Sequence, residues 1–169
     1  NLDFIFQDAI TWTVISSATT SFRYCPQGFL YSNSGYGMFF PAKEDLLPTL
    51  GFLNTNVVMN ILSILSPTIG FESGYLRKIP YLQTNQAANK FVEENIALSR
   101  NDWDSFETSW DFQHHPLIRK VSTIAEAFDQ WQAECDERFN QLKANEEELN
   151  RIFIGIYDLQ DELTPEVED

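Results

Sequence analysis

The pattern of hydrophobic and polar residues predicts short strands at the start of the chain. Residues 10–15 (ITWTVI) are rich in β-branched and aromatic side chains, which is typical of a strand. Three shorter runs have a similar composition: residues 22–24, 29–31 and 38–40. We expect a turn before the second of these runs and a loop at Gly35 and Gly37 before the third, which Pro41 should end.

A helical period replaces this pattern from Leu46 to Leu65. Apolar residues recur there every three or four positions, as they do on one face of an amphipathic helix. Because Pro48 and Gly51 disturb a regular start, we expect a short first turn before one main helix. Ser66-Pro67 should end that helix, because the residue before a proline avoids helical geometry.

The second half of the chain is expected to be helical. Residues 86–98 predict a helix that is interrupted at 99–102, and a long helix should begin near residue 122 and end at Thr164-Pro165. In the long helix one seam repeats every seven residues: Phe128, Cys135, Leu142, Leu149 and Ile156. Polar residues in the companion seam favour a helical hairpin, or a helix lying on a domain, over a free parallel dimer.

These elements predict the α+β class, with a small strand-rich unit and a packed helix followed by a long-helix region. We expect an α+β unit over residues 1–82, a connecting helix and aromatic-rich segment over 83–121, and a helical spacer over 122–169. The aromatic residues near position 106 are too frequent for a free linker, so this segment should pack onto another part of the protein.

Charge is distributed very unevenly. The chain has a net charge of −14, and the residues after Leu82 carry 20 of its 25 acidic and 7 of its 11 basic side chains. Binding to a phosphate backbone depends on cations and the release of counterions. The acidic second half is therefore a poor DNA-binding surface, and any DNA contact is expected in the nearly neutral first half.

Cysteines and apolar runs indicate the compartment. Cys25 and Cys135 match no metal-binding or disulfide pattern, which favours a reducing cytoplasm. We see no signal peptide and no apolar run of about 20 residues that could span a bilayer. The chain begins with Asn rather than Met, so we interpret it as a piece of a longer protein.

Three strings resemble a known family more closely than composition requires. They are residues 101–112 (NDWDSFETSWDF), 135–154 (CDERFNQLKANEEELNRIFI) and 159–169 (LQDELTPEVED). All three resemble the BREX phage-defence adenine-specific DNA methyltransferases, of the phage-growth-limitation X type. The first half more broadly resembles the target-recognition regions of Type II restriction-methylation enzymes and Type I specificity subunits. That resemblance implies a helix at 50–58, followed by a strand that ends at 77–80.

The resemblance implies N6-methylation of adenine in duplex DNA with S-adenosylmethionine as the cofactor. Such enzymes need a glycine-containing cofactor loop after a strand and an Asn/Asp-Pro-Pro-Tyr/Phe motif for the flipped adenine. The sequence contains no Asn-Pro, and its single Gly-x-Gly, Gly35-Tyr36-Gly37, lacks the third glycine. We therefore expect no catalytic residue and no cofactor in this chain, with S-adenosylmethionine held by the parent enzyme.

Side chains that could contact DNA are confined to the first half. The candidates are the four basic residues and two hydroxyl residues of a loop: Arg23, Lys43, Arg77, Lys78, Ser16 and Ser17. Arg77-Lys78 is favoured because loops of this kind border the DNA cleft in the resembling families. Ordinary surface charge is the alternative.

Two polar clusters are better explained by structure than by chemistry. His114-His115 should serve a turn or packing role, because adjacent histidines rarely ligate one ion and no other ligand is suitably spaced. The acids between Asp102 and Asp111 lack the lysine of a nuclease motif, and they alternate with aromatic residues.

Two functions remain open after these observations. The first is a non-catalytic piece of the methyltransferase that recognises and positions duplex DNA beside the rest of the enzyme and possible other BREX subunits. The second is a protein-interaction module for another defence subunit or for a phage protein that mimics DNA. An independent hydrolase is disfavoured because no nucleophile–base pattern is present.

Overall fold

Strands come first and helices follow in the computed structural model, which describes residues 2–17, 20–32, 35–66, 69–82 and 86–167. The strands are β1 (Ala9–Thr13), β2 (Phe22–Cys25) and β3 (Gly35–Met38). The helices are α1 (Leu46–Leu53), α2 (Asn56–Leu65), α3 (Ser73–Leu76), α4 (Asn89–Trp103) and α5 (Ile124–Ile156). This arrangement confirms the α+β class.

The sheet is antiparallel and has the order β2-β1-β3. Trp12 at its centre pairs with Phe22 on one side and Tyr36 on the other, and the ring centroids are 5.8 and 5.6 Å apart. These three rings lie on the same face of the sheet, the one that packs against the helices in the core. The side chains next to them in sequence point to the other face. The strands expected at residues 10–15 and 22–24 are confirmed, with small shifts at their ends.

Two strand predictions are wrong. Residues 29–31 form no strand, and the third strand lies at Gly35–Met38 rather than at 38–40, so both glycines belong to the sheet instead of a loop. β3 is defined by its pairing with β1, in which Gly37 lies opposite Thr11, and glycine leaves room there for two rings: a Cβ at position 37 would lie 3.0 Å from the ring of Phe39 and 3.1 Å from that of Tyr31. Glycine permits this close approach. Its low strand propensity is the reason why the sequence predicted a loop here.

The helix predicted between residues 46 and 65 is two helices. α1 ends before Asn54, and the axes of the two helices bend by 74°. The Asn54 side chain accepts a hydrogen bond from the backbone N–H of Phe22 at 2.9 Å and donates to its carbonyl at 3.0 Å, so the break is tied to β2. Within the described residues no single helix could cross a membrane. The bent pair has the length and composition for it, but it is a core element here.

A short helix replaces the strand expected to end at residues 77–80. The segment Ile69–Phe71 instead runs beside the continuation of β1: the Phe71 N–H donates to the carbonyl of Val14 at 2.6 Å. Once this edge contact is made, the chain turns into α3, and the N–H of Arg77 donates to the carbonyl of Ser73. The sheet contact therefore comes earlier in the chain than the resemblance implied.

α4 and α5 form a helical hairpin, one of the two arrangements that the sequence left open. α4 runs through residues 99–102 without the expected interruption. The two helices are antiparallel: Asn145 donates to the side-chain oxygen of Asn95 at 2.9 Å, and Arg138 contacts Asp102 at 3.4 Å. The C-terminal half of α5 is buried on the α/β unit, whereas its N-terminal half is largely exposed.

The chain after α5 turns back along the molecule instead of extending the helix to Thr164. Asp158 takes a positive φ of 56°, which ends the helix at Ile156. Asn150 of α5 then joins two segments: it accepts from the N–H of Asn56 at 2.8 Å and donates to the carbonyl of Pro165 at 3.1 Å. This amide thus satisfies a free N–H at the start of α2 and holds the returning chain.

One hydrophobic core joins the sheet, α1, α2, α4 and α5. The core is tightly packed at Gly51 of α1, where a Cβ would lie 2.7 Å from Cγ2 of Val92 and 3.5 Å from Cδ2 of Leu149. Next to it, the buried ring of Phe52 lies 5.3 Å from that of Phe153. The first 82 residues thus share their core with the helices that follow, and the proposed three-part division stays a prediction.

Replacing Gly51 with alanine is expected to destabilise the protein. The added methyl group overlaps a buried, β-branched side chain, and overpacking of this kind costs about 1–3 kcal/mol. This exceeds the gain of up to about 1 kcal/mol that alanine brings to a helix. Chemical denaturation should show a lower free energy of unfolding for Gly51→Ala. The matched control is Gly155→Ala in α5, where a Cβ meets open space and the same substitution should stabilise.

Glu146 on α5 should make the protein less stable as pH rises. Burial raises the pKa of this half-buried carboxyl above its ordinary value, so the native state binds its proton more tightly than the unfolded chain does. Its favourable contribution is complete below the unfolded pKa of about 4.5 and is lost as pH rises through the higher native value. Glu146→Gln should therefore raise the melting temperature at pH 7 relative to wild type. Glu137→Gln, at an exposed site on the same helix, controls for the lost charge.

Candidate nucleic-acid interface

Arg23 lies on the face of the sheet that points away from the core. It stands opposite Thr11 in the register, while its neighbours Phe22 and Tyr24 point inward. Its guanidinium lies 3.1 Å from the hydroxyl of Ser21 and 3.4 Å from that of Thr13. Two neutral hydroxyls thus orient the charge without cancelling it.

The two loop serines follow β1 directly. The N–H of Ser16 donates to the carbonyl of Ile69 at 2.9 Å, and Ile15 forms an isolated bridge with Gly70. Ser17 is exposed. Thr13, which the Arg23 side chain contacts, is the last residue of β1. Both serines therefore lie just beyond the end of the strand that Arg23 reaches.

Arg77 and Lys78 occupy an exposed turn immediately after α3. The chain reaches this turn from Ile69–Phe71, the segment that pairs beside the serine loop. The Nζ of Lys78 lies 5.8 Å from the centroid of the Tyr75 ring. In the described part of the chain the Arg77 side chain has neither a hydrogen bond nor an ion pair, so its charge is available to a ligand.

Lys43 is separated from the other candidates. It pairs with Asp8 at 3.6 Å, immediately before β1 begins. Thr13, which contacts Arg23, is five residues further along β1, a distance of roughly 17 Å at the rise of an antiparallel strand. The structure therefore groups Ser16, Ser17 and Arg23 at one end of the strand and puts Lys43 at the other.

Basic side chains in the second half are partly engaged by acids. Arg119 donates to both carboxylate oxygens of Glu134 at 2.7 and 3.0 Å, and this pairing lowers the pKa of Glu134. Arg138 contacts Asp102. Arg119 therefore ties the segment between the two helices to α5, and Arg138 ties the end of α4 to α5. Both charges are already paired with acids.

Residues for a methyl-donor cofactor are not found among those described. Gly35 and Gly37, the one Gly-x-Gly pair, lie inside β3 and not in a loop that leads from a strand into a helix. This pair therefore does not form a cofactor loop of the kind that the resemblance requires. No group of three metal-ligating side chains occurs in the described part either. His115 accepts a hydrogen bond from the N–H of Leu117, and its ring lies edge-on to Trp131 at 5.3 Å, a turn and packing role.

An apolar groove in the hairpin was not foreseen from sequence. It has a volume of about 910 Å³. We call it the hairpin groove, and its apolar lining comprises Leu98, Trp103, Phe106, Cys135, Phe139 and Leu142. The aromatic content of residues 101–112 was a signal that this segment packs onto something, yet Trp103 is 59% exposed and Trp110 is 90% exposed. Trp110 does contact the first half, where it stacks on Phe29 at 5.8 Å.

Known proteins are similar to this chain along its whole length, although no protein-family model matches it. The adenine-specific methyltransferase PglX of Lacticaseibacillus casei is 47% identical over 176 aligned residues, which cover 100% of the chain. The adenine-specific methyltransferase BrxX of Escherichia coli O9:H4 is 31% identical over 166 residues, or 97% of the chain.

The match covers a small part of those relatives. The chain spans 15% of the length of the first and 14% of the second. The similarity extends across both the strand-rich unit and the helical hairpin, since at least 97% of this chain is aligned in each case. Over at least 97% of its length the chain is therefore similar to one region of the adenine-specific methyltransferases PglX and BrxX.

Proposed function

We propose that this chain recognises and positions target DNA within a longer adenine-specific DNA methyltransferase of phage defence. The observation that carries the proposal is the placement of Arg23, Ser16 and Ser17 at one end of β1, with the guanidinium held by hydroxyls and not by a carboxylate. A cation oriented in this way can donate to phosphate oxygens or to a guanine edge.

Arg77 and Lys78 extend the same surface in this proposal. They follow the segment that pairs beside the serine loop, and they are exposed on a short turn. Their role is to bind phosphate and fix the register of the duplex, because such contacts dominate affinity. Lys43 stays a weaker candidate, since Asp8 already neutralises it and the strand separates it from the others.

The hairpin serves as a scaffold in this scheme. Its acidity repels a phosphate backbone, so it favours a single orientation of DNA, towards the sheet end that carries Arg23. α5 contributes Leu149 and Phe153 to the core, so the DNA-contacting unit is rigidly connected to it. S-adenosylmethionine and the catalytic motif belong to other parts of the enzyme.

A protein-interaction role is the second candidate, and one observation favours it. Apolar side chains are exposed along the hairpin, among them Trp110 and Trp103. Exposed patches of this kind mark binding surfaces for other proteins. Another BREX subunit, or a phage protein that mimics DNA, would be the partner in this reading.

Substitution of Arg23 or Arg77 by alanine in the longer methyltransferase should weaken DNA binding. Loss of a phosphate contact lowers the slope of log affinity against log salt by about 1, and loss of a base contact costs about 1–3 kcal/mol of discrimination. Fluorescence anisotropy with a duplex oligonucleotide at several salt concentrations measures both effects. Steady-state methylation rates should fall in parallel, through a higher KM for DNA.

Arg151→Ala is the matched control, because it removes the same charge from α5, where Arg151 contacts Glu148. It should leave DNA affinity and the salt slope unchanged. If Arg23→Ala and Arg77→Ala behave like this control, the assignment of the DNA surface is wrong.

The chain by itself is expected to transfer no methyl group. The described residues offer neither the cofactor loop nor the adenine-binding motif, so radiolabelled S-adenosylmethionine and duplex DNA should yield no methylated product. The longer enzyme serves as the positive control. Turnover by the chain alone would place a catalytic site within these 169 residues.

A further inference from the structure

The hairpin groove has the form of a binding site for a helix. Its walls come from α4, the segment after it, and α5, three stretches that together enclose about 910 Å³. The exposed rings of Trp103, Phe106 and Phe139 line it, and Phe139 is 52% exposed. Hydrophobic grooves commonly bind amphipathic helices, which insert apolar residues at helical spacing.

Charge at the groove indicates the kind of helix. Glu107 and Asp102 line it together with Arg138, and the salt bridge from Arg138 engages Asp102 and not Glu107. The hairpin around it is acidic, because Asp104, Asp111 and further acids outnumber the basic residues there. A ligand with lysine or arginine beside its apolar positions complements this surface, whereas an acidic ligand is repelled.

Geometry at Arg138 adds a polar requirement. Its Nε is buried and lacks a hydrogen-bond partner among the described residues, and the same holds for Nε1 of Trp131 nearby on α5. Buried donors without partners are costly, so they tend to be satisfied in the functional state. Since Arg138 lines the groove, a bound segment would lie beside its guanidinium group.

The length of the relatives identifies the source of the segment. This chain covers only 15% and 14% of the two methyltransferases, so in each of them the aligned region is attached to a much larger polypeptide. Where the linker can span the distance, tethering gives an attached segment an effective concentration of up to about the millimolar range, well above that of most free partners. A moderately apolar groove is therefore filled first from within the same chain.

We propose that the hairpin groove binds a basic, amphipathic helical segment from another region of the same methyltransferase polypeptide. The inference rests on the proposed place of this chain in a longer enzyme, but not on the DNA contacts of Arg23 and Arg77. Docking at the groove would hold the hairpin, and with it the DNA-contacting unit, in a defined position relative to the remainder of the enzyme.

Site-specific photocrosslinking in the longer methyltransferase tests the proposal. The photoreactive residue p-benzoylphenylalanine replaces Phe106 in the groove or, as a control, Ile64, which is 73% exposed on α2. After irradiation, the crosslinked peptides are identified by mass spectrometry. We expect the Phe106 position to crosslink to a lysine- or arginine-containing peptide of the same polypeptide outside residues 1–169, in a yield independent of protein concentration. The Ile64 position should not crosslink to that peptide.

Other outcomes overturn the proposal. A crosslink to a second copy, detected as a dimer, would assign the groove to self-association, and a crosslink to a different subunit would assign it to that partner. No crosslink, or crosslinks confined to residues 1–169, would mean that the groove is open to solvent.

A charge substitution in the groove provides a second measurement. Phe139→Glu should leave the melting temperature of the 169-residue chain unchanged, because the ring is half exposed. In the longer enzyme it should lower the hydrogen-exchange protection of residues 98–108 by about tenfold or more, as the docked segment is released. Equal hydrogen-exchange protection in the longer enzyme with and without Phe139→Glu would contradict the docking. If the variant loses this protection but binds DNA with normal affinity, the docking is supported independently of the DNA-contact proposal.

Discussion

The contact between three helices at Gly51 sets the arrangement of the whole molecule. At this point α1 approaches α4 so closely that Val92 occupies the space of a side chain, and Leu149 of α5 lies beside it. Apolar contacts of this density lose energy quickly when helices separate, because dispersion attraction falls steeply with distance. α1 also contacts β1 and β2 of the sheet, and the free end of the hairpin extends from α4 and α5. The orientation of every proposed binding surface therefore depends on this contact.

Beyond this contact, the fold separates two chemically different surfaces. The sheet end carries an arginine oriented by hydroxyls, and the hairpin carries most of the negative charge together with exposed aromatic rings. Opposite requirements explain the separation. A phosphate backbone needs cations that are not already neutralised, whereas a docking groove needs apolar area that water leaves readily. A single continuous α5 connects the surfaces, so movement of the hairpin is transmitted to the sheet unit.

Parts of the candidate site could be anticipated from sequence, and parts could not. The basic residues were easily identified because there are few of them in the first half. Their grouping was not, since it depends on the pairing of Ile69–Phe71 with the end of β1. The neutralisation of Lys43 by Asp8 depends likewise on residues 35 positions apart. The hairpin groove appeared in the sequence only as an excess of aromatic residues, which predicted packing but not the exposure that Trp110 retains.

The sequence alone determined the elements that are marked by a regular pattern of neighbouring residues. The heptad seam predicted α5 and β-branched residues predicted β1, because both patterns directly reflect backbone geometry. Tertiary contacts decided the rest. Asn54 ended a helix whose apolar period continued, since its amide is satisfied by β2. Gly37 joined a strand because it pairs with Thr11 of β1, despite the low strand propensity of glycine. In each case a distant partner supplied more energy than the local preference, and no local pattern could reveal that partner.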